Sequence, residues 1–300
     1  MHIPDMMLQG AICPATAALT AVGLAGTAYA AYKTKIKPAA SFFAGVTALV
    51  FAAQMANFPI NPGTSGHILG ATLAVALLGS AFGILAMTLV VVTQCLVFAD
   101  GGISVLGANL LNMALLASLP AVIVRELFTA TSFVKTAYFG AAFVSTLLAA
   151  AACAAQLTMS GIAPAQNVFA AMLSVHTLIG LAEAGLSVAA LTVISYIVAK
   201  AVPHRAWIVP FGFAAVIAIV VAPFAATSPD GLEAVAGALG FGYTGVQGGL
   251  TVPLFTAPFA DYAVPAVSVA ALSTALAGLI GIALLFAVAY GTGRVLAKSA

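Results

Sequence analysis

The sequence predicts an all-α polytopic membrane protein of about nine transmembrane helices, with the N-terminus outside and the C-terminus cytoplasmic. Three observations lead there. Hydrophobic residues make up 63% of the 300, charged residues only 5%, and mean hydropathy is +1.19. No soluble domain of this size covers its surface with so few charges. Within a bilayer only helices or a closed barrel satisfy the backbone. The apolar runs are about 20 residues long and lack dyad alternation, which is the helical pattern. Finally, with the N-terminus outside, all nine Lys and Arg residues fall on the cytoplasmic side, as the positive-inside rule requires.

The first run, 12–32, is followed by Lys33, Lys35 and Lys37. Its Ala17, Ala21 and Ala25 make a smooth face at i+4 spacing, suited to a partner helix or to packing inside the bundle. Ala28-Tyr29-Ala30 resembles a signal-peptide cleavage site. A signal peptide, however, carries basic residues before its apolar core, and the only charge ahead of this one is Asp5. The N-terminus is therefore expected to be kept. Met1 is expected to stay with it, because His2 is too large for methionine removal. The second run, 38–56, leads to an outside connection, 57–66, whose Gly and Pro residues let the backbone bend back into the bundle. The third and fourth runs, 66–80 and 82–98, are joined tightly at Gly79-Ser80. The fifth, 104–124, ends at Arg125; Lys135 marks the start of the sixth, 133–158; the seventh, 168–199, ends at Lys200. Arg205 precedes the eighth run, 206–226, and Arg294 and Lys298 follow the ninth, 263–290.

Two modules are expected. Residues 1–205 hold seven runs, and 206–300 hold two runs around an outside segment, 227–262. Ser228-Pro229-Asp230 opens that segment as a turn and helix N-cap signal. The segment is either a lid or a solvated connector. Asp5, Asp100, Asp230, Glu233 and Asp261 fall outside, Glu126 inside, and Glu183 within the seventh run. Cys13, Cys95 and Cys153 are scattered through apolar runs without C-x-x-C spacing, as small core residues are.

The start of the chain carries the sharpest chemistry. His2 brings three nitrogens together: the α-amine of Met1, its own amide and the imidazole Nδ1. Chelation through all three closes a five- and a six-membered ring and favours a square-planar ion such as Ni(II) or Cu(II), with Co(II) a weaker fit. A fourth donor is needed. His67, at the outer end of the third run beside the flexible connection, is the best partner. His176 is held in reserve, with Glu183 two turns below it. Asp5, Gln54, Asn57, Thr64, Ser65, Asn109 and Asn112 are expected to surround the ligands and hold the loop and the rings.

These residues resemble a known family. Met1-His2-Ile3-Pro4-Asp5 is similar to the start of the CbiM/NikM substrate-binding (S) components of energy-coupling-factor nickel and cobalt transporters. So are Phe51–Pro59 with Gly63-Thr64-Ser65-Gly66-His67, Gly107-Ala108-Asn109 with Asn112-Met113, and His176–Gly180 with Glu183. Pro229-Asp230-Gly231-Leu232-Glu233 and Asp261–Pro265 resemble the small NikN-type accessory component, the PDGLE module, so that the whole looks like a NikMN fusion. The resemblance implies a metal bound near the extracellular face by Met1, His2 and His67. It also implies partners: a membrane coupling subunit and two ATP-binding cassette ATPases, in a prokaryotic cytoplasmic membrane. One departure is Met6-Met7-Leu8, where the family usually continues Gly-Phe-Leu after the acid. Asp rather than Glu at position 5 leans toward nickel.

No G-x-x-x-x-G-K-[ST] phosphate loop occurs in the chain, so transport energy would come from elsewhere. No cofactor and no nucleic-acid partner are expected; the transported ion would be Ni(II), alternatively Co(II). A secondary transporter using His176 and Glu183 is the alternative. A polytopic metalloenzyme is a further one, without an H-E-x-x-H helix to support it.

Overall fold

The computed structural model describes residues 1–61, 63–128, 131–242 and 256–298. Residues 243–255, within the expected outside segment, lie outside the described residues. Each of the nine apolar runs contains a helix: α1 Ile12–Lys33, α2 Ala40–Met55, α3 Ala71–Leu78, α4 Ser80–Phe98, α5 Leu106–Phe128, α6 Val134–Met159, α7 Ala165–Lys200, α8 Pro203–Phe224 and, after a short α9 at Gly231–Leu239, α10 Ala270–Lys298. Seven of them are long and apolar enough to cross a membrane.

The two short ones have distinct causes. In α2, 13 of 16 residues are buried, so apolar residues on every side mark an interior helix rather than a lipid-facing one. α3 spans only eight residues, about 12 Å at 1.5 Å per residue against a hydrocarbon core of ~30 Å. The first part of its run, 66–70, is instead the end of a re-entrant connection. That connection holds a small antiparallel hairpin, β1 Phe58–Asn61 with β2 Thr64–Gly66. Irregular backbone at this depth is tolerable only when protein groups satisfy it, and the groups that do so build the site below.

α1 buries only Thr16, Thr20, Thr27 and Ala31. Its Ala17 meets α5 at Gly107, where an added Cβ would stand 2.5 Å from Ala17 Cα, and Thr20 Oγ1 donates to the Gly107 carbonyl at 2.7 Å. Ala21 and Ala25 are exposed. α5 carries a π turn at Leu111–Leu115, a common interruption beside functional groups.

The C-terminal helices pack directly on the N-terminal ones. α10 lies along α2 through a glycine face. A Cβ on Gly281 would stand 2.3 Å from Phe51 Cε1 and 2.9 Å from Phe98 Cζ, and one on Gly278 would meet Met55. Phe51 and Phe98 are fully buried and also pack against Tyr262, so neither ring can yield. Gly281→Ala is therefore expected to cost about 1–3 kcal/mol by overpacking. A thermal melt of the detergent-purified protein checks it; an unchanged midpoint would mean the α2–α10 contact is looser than the coordinates describe.

Candidate metal centre

The first eight residues turn inward. Met1, Ile3, Met7 and Leu8 are buried, Ile3 completely. Asn109 on α5 clamps Ile3 on both sides: Oδ1 accepts from the Ile3 N–H at 2.8 Å and Nδ2 donates to its carbonyl at 3.0 Å. The Gly102 N–H adds a bond to the same carbonyl at 2.9 Å. Close approach is possible because Gly101 and Gly102 lack side chains; a Cβ on Gly102 would stand 2.3 Å from the Asp5 nitrogen. Asp5 Oδ1 accepts from the Ser104 N–H and hydroxyl at 2.8 and 2.6 Å, fastening the segment at its outer end.

This clamp presents the two N-terminal residues to the re-entrant connection. The Met1 amine lies 3.1 Å from His67 Nε2 and pairs with the Asp230 carboxylate. The His2 and His67 rings stack with centroids 5.7 Å apart. His2 Nδ1 is 2.8 Å from Asp100 Oδ1, and its Nε2 is 3.1 Å from Gln94 Oε1. Tyr262 closes the network, donating to Asp100 Oδ2 at 2.6 Å and accepting from Gln94 Nε2 at 3.2 Å. His67 Nδ1 lies 3.1 Å from the Ile68 carbonyl. Donation there leaves the Nε2 lone pair facing the amine.

The backbone around His67 is held from three directions. Ser65 donates its N–H to Pro229 O at 2.8 Å and its hydroxyl to Ser228 O at 2.7 Å. The Ala226 N–H reaches Asn57 O at 2.9 Å. On the inner side, Gln54 Nε2 donates to Leu69 O at 2.7 Å. The buried Glu183 carboxylate accepts from the N–H groups of Leu69 and Gly70 at 2.6 and 2.9 Å and from Ser187. Glu183 thereby caps α3, whose N-cap Gly70 has φ +79° and no side chain to do so.

Each expected residue can now be placed. Met1, His2 and His67 meet. Asn109, Gln54 and Ser65 hold their backbone, and Asn57 contributes its carbonyl. Thr64 makes no side-chain hydrogen bond among the described residues. Asn112 pairs with Gln156 across α5 and α6 at 2.8 and 2.7 Å, joining helices rather than touching a histidine. His176 binds the Met172 carbonyl through Nδ1 at 2.7 Å, and with Met1, His67 and Asp230 it borders a void of about 10 Å³. Gln94 was not among the expected residues; Asp100 and Asp230 were expected only as outside acids, and Tyr262 only within the motif at Asp261–Pro265. Asp230 was expected as a helix N-cap within the Pro229–Glu233 motif, and it is one.

Charge is concentrated here. Burial opposes the Met1 ammonium most strongly, yet the charge and hydrogen bond of Asp230, with the charge of Asp100, together raise the amine above its ordinary 8.0. Burial first, then the neighbouring amine and His2, depress His67 to about 4. Asp100 and Asp230 lie well below the usual carboxylate range; burial works against ionisation, but His2 and the amine, respectively, prevail. A cavity of about 600 Å³ opens above the donors, and Asp100, Asp230, Glu233 and Asp261 line it. Among the described residues, no three His, Cys, Asp or Glu side chains converge as a metal site would.

Known proteins are similar to this chain. The family described as the cobalt uptake substrate-specific transmembrane region, CbiM, matches residues 2–201, and the PDGLE domain matches 204–298. A putative fused nickel transport protein NikMN of Archaeoglobus fulgidus is 48% identical over 115 residues, 38% of both chains. The fused nickel transport protein NikMN of Rhodobacter capsulatus is 34% identical over 43% of this chain and 37% of its own. The matched stretches thus span well under two-thirds of these relatives. A crystal structure of a transition metal transporter superposes with a TM-score of 0.60 at 27% identity, covering 68% of this chain and 97% of that one. A truncated transition metal transporter gives 0.58 at 28%, over 67% and 99%. With a family match over two-thirds of its length, this all-α polytopic membrane chain belongs to the CbiM family and carries a PDGLE domain behind it.

Proposed function

We propose that the protein is the substrate-binding subunit of an energy-coupling-factor importer, and that it captures Ni(II), alternatively Co(II), at the extracellular face. In this reading the Met1 amine, the His2 amide and Nδ1, and His67 Nε2 are the ligands. One observation carries it: the amine and His67 Nε2 stand 3.1 Å apart. Metal–nitrogen bonds of about 2.0–2.1 Å put cis donors at right angles about 2.9 Å apart, so these two are already at ligand spacing. The acidic cavity above them would concentrate cations. Nickel transport, named for the fused relatives, fits a planar four-nitrogen set, which favours Ni(II). Separate coupling and ATPase subunits would supply the energy, with the basic connections facing the cytoplasm of a prokaryotic cell. Residues 1–205 would form the metal-binding module and 206–300 the accessory one.

Elemental analysis with an electronic spectrum tests the reading. One nickel per chain in a yellow, diamagnetic species is expected, whereas a green, paramagnetic octahedral species would reject the four-nitrogen plane.

The pH dependence has a definite sign. Metal must displace the proton of an amine raised above 8.0 and that of the amide, while His67, depressed to about 4, is already neutral at pH 7. About two protons should leave per nickel, so affinity should climb about 100-fold per pH unit below the amine's pKa. Calorimetry in buffers of different ionisation enthalpy reads both quantities. A flat profile from pH 6 to 8 would instead indicate carboxylate ligands, which are ionised throughout that range.

A further inference from the structure

We propose that Asp230, carried by the C-terminal segment, is the receptor for the α-amine: a positioning residue that holds Met1 N beside His67 Nε2. The part concerning nickel rests on the reading above; the contact itself does not.

The turn Pro229–Glu233 is shaped for this contact residue by residue. The Pro229 carbonyl takes the Ser65 N–H at 2.8 Å, docking the turn on β2 two residues before His67. Asp230 divides its two oxygens. Oδ1 accepts from the Glu233 N–H at 2.9 Å while Glu233 Oε2 accepts from the Asp230 N–H at 3.0 Å, a complete capping box that fixes the carboxylate. Oδ2 is left for the Met1 amine. Gly231 provides room, since a Cβ there would stand 2.8 Å from His176 Cε1. Leu232 is 1% exposed and anchors the first turn of α9 in the core. A short helix with its N-terminus and a carboxylate directed at one point would, for an anion, be self-defeating. For an amine the carboxylate decides.

The amine needs such a partner. It is the free end of the chain; the Met1 side chain is seated in the core, and the nearest backbone clamp, Asn109, grips the chain two residues away, at Ile3. Between that clamp and the free end the Met1 backbone could rotate, swinging the nitrogen away from His67. An ammonium and a metal-bound amine both retain N–H groups, so Asp230 can accept from either. The C-terminal segment would thus complete the site instead of merely covering it, and outer partners of this kind typically set 10–100-fold of metal affinity.

Asp230→Asn isolates the effect, because Asn caps a helix as well as Asp does while losing the charge. Two readouts on the full chain in detergent apply. The first needs no metal: the rate at which an amine-reactive ester labels Met1, followed on the N-terminal peptide by mass spectrometry. Labelling several-fold faster in Asp230→Asn than in the parent is expected, and an equal rate overturns the proposal. The second is affinity for nickel chloride, expected to fall about 10–100-fold with a shifted visible band. Faster labelling with unchanged affinity and spectrum would overturn the positioning role. An effect seen in Asp230→Ala but absent in Asp230→Asn would reduce Asp230 to a helix cap and overturn it equally. If the parent protein itself binds no nickel, the metal reading fails, and the labelling rate alone still decides whether Asp230 receives the amine.

Discussion

A chain lengthened by one residue ahead of Met1 is expected to lose high-affinity nickel binding altogether. The extension converts the primary amine into an amide, removing a donor and opening the five-membered chelate ring. It must also enter a space with little room: the Met1 side chain is 5% exposed and the amine sits between His67 and Asp230. A half-buried Asp230 carboxylate left facing a neutral amide would lose its charge partner, adding a partial desolvation cost to the lost ligand. The loss should therefore exceed the 10–100-fold usual for an outer partner. N-terminal acetylation should do the same without adding a residue. Equilibrium dialysis against nickel, comparing a native start with a one-residue extension, measures it; retained affinity in the extended chain would remove the amine from the site.

His2→Ala and His67→Ala are each expected to abolish stoichiometric nickel while leaving the fold intact. His2 supplies two of the four nitrogens, counting its amide, and its ring closes the six-membered chelate. His67 supplies the only donor from outside the N-terminal segment. Both rings border the 600 Å³ cavity rather than filling the core between helices, so truncation leaves little void behind. His176→Ala should cost less bound metal than either, because its Nδ1 is committed to the Met172 carbonyl and it reaches the site only as a neighbour. Metal content after gel filtration, with the thermal midpoint as a fold control, separates these outcomes. Equal nickel loss in His176→Ala would make that residue a ligand.

Much of the architecture was legible because burial in a bilayer is a local property. A run of about 20 apolar residues must be helical wherever it lies, and every one of the nine runs contains a helix. The third run shows the limit. Apolar content continues from 66 to 80, yet the helix begins only at Ala71, because Glu183 and Gln54, far along the chain, satisfy the backbone of 69 and 70 and let it stay irregular. Hydropathy cannot see that a buried carboxylate has replaced a helical turn.

The proposed donors followed the same division. His2 was visible because the chelate it could form lies within two residues, and the spacing of amine, amide and Nδ1 is a matter of covalent geometry. His67 followed from the topology of the connections and from how few histidines the chain has. Asp230 did not: it reads as a helix cap, and it is one, and nothing in a local pattern says that its second oxygen meets an amine 229 residues away. Gln94 was likewise hidden as a lone polar residue in an apolar run, and the motif at Asp261–Pro265 did not say that Tyr262 would reach Asp100 and Gln94.

The sequence by itself determined that the apolar runs are helical and placed three nitrogens together at the start of the chain, since transfer free energy and bond geometry act over a few residues; that only seven of the nine runs form helices long enough to cross a membrane it did not determine. Only the tertiary structure decided which carboxylates meet which nitrogens. Such pairing depends on how α2, α5, α7 and α10 pack, and packing is set by shape, through Gly281 against Phe51 and Gly107 against Ala17, over distances that no local pattern encodes.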